Sequence, residues 1–85
     1  MATPSNNAAD QYASLMSELF RRADLSDEEK EKKGIAQANE FFINYGSNFK
    51  NPRGELATRF RDEMRDCFGH QELINRFLDR ITYGK

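Results

Sequence analysis

An all-α fold, a compact bundle of about four short helices, is what this sequence predicts. Three observations carry that reading. The 85 residues include no Val and no Trp, and their only β-branched residues are four Ile and three Thr, whereas strands favour β-branched side chains. No window alternates apolar with polar residues. Four stretches instead repeat apolar residues every three or four positions, the period of one helix face.

"MATPSNN", residues 1–7, reads as an N-terminal arm with helix-capping residues at its end. The first helix is expected over 8–24, with Tyr12, Leu15, Met16, Leu19 and Ala23 on its inner face and Phe20 on the flank. The second is expected over 27–45. Ser26 with Glu29 three residues on is a capping box, and acids fill the first turn, where the helix dipole favours them. Glu28–Lys32 and Glu29–Lys33 are spaced for intrahelical pairing, about 0.2–0.5 kcal/mol each.

This second helix is the unusual one. Ile35, Ala38, Phe42 and Tyr45 form one stripe, but Phe41 and Ile43 flank it on opposite sides. An apolar arc this wide marks either the centre of a bundle or a subunit interface. Gly34 inside it should weaken the helix by about 1 kcal/mol relative to Ala, unless close packing needs it.

"NYGSNFKNPRG" (44–54) divides the chain. Gly46 stands where a left-handed helix cap is expected, and "NPRG" suits a type I turn. Phe49 is left over, either folded back as a lid on the core or free as an anchor for a partner. The third helix is expected over 55–68, with Leu56, Phe60, Met64, Cys67 and Phe68 on one face and Gly69 at its end. The fourth, over 71–82, carries the cleanest stripe: Leu73, Ile74, Phe77, Leu78 and Ile81.

A chain this short forms one domain, residues 1–85, and buries only about 60–65% of the surface that its unfolded state exposes. The 13 basic and 14 acidic residues nearly cancel, leaving a net charge of −1, which gives no general attraction for nucleic acid. The first residues lack the basic and then apolar pattern of a signal peptide, and no apolar stretch approaches the ~20 residues of a membrane span. A cytoplasmic location is the resulting expectation.

Little in the sequence suggests chemistry. Cys67 and His70 are three apart, but zinc takes four ligands, or three and a water, and there is no second Cys or His. No Ser lies near His70 in sequence to make a nucleophile and base pair. A non-catalytic protein with no metal and no cofactor is therefore expected. The turn at "FGH" between the third and fourth helices sketches a helix-turn-helix, but Arg65 stands where that motif places a small residue.

The remaining signal is Arg. Arg61 and Arg65, and Arg76 and Arg80, are four apart, where like charges gain nothing from each other. Asp62, Glu72 and Asp79 offer solvated intrahelical partners; an acidic protein surface or a phosphate backbone would be the functional ones. The leading expectation is a protein-binding module, a small regulator, inhibitor or accessory subunit, with a homodimer as one form. The alternative is a nucleic-acid binder using the Arg face. The candidate partner-binding residues are Phe41, Ile43, Phe49, Lys50, Arg53, Arg61, Arg65, Arg76 and Arg80.

Overall fold

The computed structural model describes residues 4–67 and 69–84, with side chains from Ala8 onward. Four helices follow one another: α1 (Pro4–Phe20), α2 (Asp27–Tyr45), α3 (Pro52–Glu63) and α4 (Gln71–Tyr83), with a single 3-10 turn, Gly46–Asn48, between α2 and α3. No strand occurs among the described residues. The all-α bundle predicted from the sequence is therefore the fold. α1 packs on α2 and α3, and α4 packs on the same two helices.

The centre is made of aromatic rings. Phe20 of α1, Phe60 of α3 and Phe77 of α4 meet with ring centroids 4.8–5.2 Å apart. All three are fully buried. The remaining helix, α2, contributes a glycine: a Cβ on Gly34 would lie 2.8 Å from the Phe77 ring and 2.9 Å from that of Phe20. Gly34 thus lets α2 approach the rings closely, which is what its helix-weakening backbone returns.

Two inner faces are rotated from the expected ones. α1 buries Ala9, Ala13, Met16 and Phe20, while Leu15 is 47% exposed and Ala23 lies outside the helix. α2 buries Lys30, Gly34, Ala38 and Phe41. In both, the small residues sit at the helix contacts and large side chains close the edges. Phe42, Tyr45 and Ile35 are the half-buried edge of α2, not its centre.

Several boundaries also differ. The helix reaches into the expected arm as far as Pro4, because Pro at a first helical position gives up no hydrogen bond; Met1–Thr3 lie outside the described residues. It ends at Phe20, since the residues after it, Arg21–Asp24, face solvent and give a further turn nothing to bury. Gly46 is right-handed, φ −58°, and leads into the 3-10 turn. "NPRG" begins α3 and is not a free turn: Asn51 Oδ1 accepts from the Gly54 N–H at 3.1 Å, with Pro52 at the first helical position. α3 stops at Glu63, five residues early. A Cys67 N–H to Met64 O bond of 3.0 Å turns the chain there while Met64 stays buried. Phe68, expected on the inner face, lies outside the described residues.

The second helix spans the residues predicted for it, and its capping box forms: the Glu29 N–H donates to Ser26 Oγ at 3.2 Å, and the Ser26 N–H donates to Glu29 Oε1 at 3.4 Å. Glu29 is used there, and neither Glu28–Lys32 nor Glu29–Lys33 is among the ion pairs of the described residues. α4 buries Leu73, Ile74, Phe77 and Ile81 with Leu78 half-buried, as its stripe predicts.

Candidate functional site

The nine candidate binding residues fall in different places. Phe41 is a correction: it is fully buried, packed on Tyr12 and Phe49 with centroids 5.6 Å away in each case. It cannot meet a partner, because it holds the second aromatic cluster of the core together. Phe49 is half-buried against it, the lid arrangement and not the anchor. Lys50 is exposed in the loop.

Arg53 is used inside the fold. Its Nη1 donates to the Ile81 carbonyl at 3.0 Å, and its guanidinium lies 4.6 Å from the Phe42 ring centroid. It also lies against Gly84, where a Cβ would stand 3.1 Å from the guanidinium carbon and the left-handed backbone, φ 74°, independently favours glycine. Arg76 and Arg80 point to one carboxylate on another helix: Arg76 Nε is 3.0 Å and Arg80 Nη1 3.9 Å from Glu31. Their intrahelical candidates, Glu72 and Asp79, are not the partners, because Glu31 on α2 faces α4 with its side chain only 14% exposed. Arg61 is exposed beside a groove between α3 and α4, and Arg65 is exposed beyond the end of α3, so the two do not form one helical stripe.

Ile43 stands apart. It is 82% exposed, the most exposed large aliphatic side chain among the described residues. It sits on the outer face of α2, where Lys33, Ala36, Glu40 and Ile43 follow one another at four- and three-residue steps. Two turns back along α2, at Lys33, Ala36 and Gln37, α1 and α2 enclose an open groove of about 480 Å³. Leu15, Glu18, Leu19 and Arg22 line it from α1, and Lys33, Ala36 and Gln37 from α2. Its apolar floor is Leu15, Leu19 and Ala36.

The charges around the groove are arranged along it. Arg22 is bound by Asp24 at 2.6 Å, and its guanidinium in turn lowers the pKa of that exposed carboxyl by hydrogen bonding. Lys33 makes no ion pair among the described residues. Outside the groove lining, toward the C-terminal end of α2, Asn44 and Glu40 act on the Tyr12 hydroxyl. Partial burial raises the Tyr12 pKa most; Asn44 opposes this and the Glu40 charge adds to it.

The groove was hidden in the sequence because Leu15 reads as part of the buried stripe of the first helix. The available signal was the run of Ala at positions 9 and 13, which marks the true contact line and turns Leu15 outward. Cys67 is a half-buried free thiol and His70 is exposed at the start of α4. Among the described residues no three His, Cys, Asp or Glu side chains converge as a metal site. No described helix is long and apolar enough to cross a membrane. No family model, curated protein or solved structure matches the chain.

Proposed function

We propose that this chain is a non-catalytic protein-binding module, a small regulator, inhibitor or accessory subunit, and that it docks through the outer face of α1 and α2. One observation carries the reading: a large aliphatic side chain, Ile43, stands 82% exposed on the outer ridge of α2, whose Ala36 also lines the groove against α1. Burying one such side chain is worth roughly 1.5–3 kcal/mol, and the fold leaves that gain unused. The reading also takes the chain as cytoplasmic.

The nucleic-acid alternative drew on the Arg residues. Of these, Arg76 and Arg80 share Glu31 and Arg53 binds a carbonyl, so less of that face is free for phosphate. A salt titration separates the two readings, because phosphate binding weakens steeply as salt rises.

The direct test is capture from the native source by the immobilised chain, run beside an Ile43→Lys variant. A protein held by the parent and lost by the variant supports the reading. Capture that is identical for the two, or that disappears with nuclease treatment, contradicts it. Lys suits this position because a cation is favourable in the last turn of a helix, so the variant should stay folded.

A further inference from the structure

Resting on that docking reading, we infer that the occupant of the α1–α2 face is a second copy of this chain. The two copies are related by a two-fold axis that lays α2 antiparallel across its equivalent near Ala36 and Gln37. A two-fold interface uses the same patch on both subunits, so the patch must complement itself.

The outer ridge of α2 does so. Lys33 and Glu40 carry opposite charges one on each side of Ala36. Seven residues apart, they are about 10 Å from each other along the helix, too far to pair within one chain. Neither makes an ion pair among the described residues. Antiparallel pairing about Ala36 sets Lys33 of each copy opposite Glu40 of the other, twice. The small Ala36 leaves the crossing free of bulk, which the helix separation of about 8–10 Å requires.

The same operation answers the apolar surplus. It carries Ile43 of each copy against the other's α2, one turn beyond Lys33 and out of solvent. The protruding side chain of each copy is then covered by the other.

The size of the face sets the strength. α2 has 19 residues, about 28 Å at 1.5 Å each, and a layer of two helices is roughly 18 Å wide. That gives about 500 Å² of face per copy, below the roughly 800 Å² per partner of a standard stable interface. The dimer is therefore weak and concentration-dependent.

Sedimentation velocity over a dilution series from millimolar to low micromolar protein tests this. The parent should shift from dimer to monomer mass on dilution. Lys33→Glu and Glu40→Lys should each remove the dimer, since each leaves like charges opposed. The double variant Lys33→Glu/Glu40→Lys should regain it, because the same pairs form with exchanged signs. Ile43→Lys should weaken association at least tenfold. Circular dichroism and melting of each variant establish that the monomer is intact, which matters for Glu40 beside Tyr12.

A parent that is monomeric throughout the series overturns the inference. A double variant no better than either single one overturns the two-fold register, even if association occurs. Such a failure is distinct from failure of the docking reading: a monomeric chain whose foreign partner is still lost by Ile43→Lys keeps the docking face and loses only the second copy.

Discussion

α2 and α4 are both amphipathic, but they use their apolar residues differently. In α4 the stripe is complete: Leu73, Ile74, Phe77 and Ile81 are buried, and the fold accounts for them. In α2 the apolar residues exceed what the core can take. Phe41 is fully buried while Ile43, two residues later, is 82% exposed, because successive residues turn 100° about the helix. A saturated helix reports on the fold; a helix with a surplus reports on what lies outside it.

The largest effect should come from the saturated helix. Phe77 touches Phe20 and Phe60 and has no exposed surface. Phe77→Ala should cost about 3–5 kcal/mol, a large share of the ~5–15 kcal/mol that holds a small domain. Loss of the cooperative thermal transition is the expected outcome. A melting temperature within a degree or two of the parent would mean that α4 is not saturated.

Next comes the inner face of α2. Gly34→Ala adds a methyl 2.8–2.9 Å from the rings of Phe77 and Phe20. Overpacking costs about 1–3 kcal/mol, against up to about 1 kcal/mol gained in helix propensity. The denaturant midpoint should fall. A higher midpoint would show that the rings yield and that α2 is not pressed against the core.

The helix starts differ as well. α2 has a full capping box, and His70 before α4 makes no side-chain cap. Ser26→Ala should cost about 1 kcal/mol, read as a lower urea midpoint with an unchanged slope. The smallest effect concerns the tie between the two helices. Glu31→Gln removes the charge shared by Arg76 and Arg80, both about half exposed, so solvent screening holds the loss to about 0.2–1 kcal/mol. It should shrink as salt rises; a loss independent of salt would show that Glu31 acts by packing.

The same contrast explains what the sequence reveals. α4 is legible because large apolar residues mark its inner face and nothing competes with them. α1 and α2 are legible as helices, and the Ser26 box marks the start of α2, but their rotation is not. Bulk points to Leu15 and Phe42, while contact is made through Ala9, Ala13, Gly34 and Ala38, whose lack of side chain is what permits it. Partner choice across helices is hidden for a similar reason. Glu72 and Asp79 are near Arg76 in sequence, yet Glu31, 45 residues away, is the one that packs against it. Ile43 could be singled out as surplus, but the groove between α1 and α2 required knowing which way α1 turns.

The most direct test of the account pairs the two faces of α2. Phe41→Lys and Ile43→Lys introduce the same charge two residues apart in the same helix, and each is measured for stability in chemical denaturant under monomeric conditions. Phe41→Lys should abolish the folded state, since it buries an unpaired charge in the aromatic cluster. Ile43→Lys should stay within about 0.5 kcal/mol of the parent, as surface changes do. Equal loss of stability in the two variants would contradict the account: α2 would then be closed on every side, with no face left for a partner.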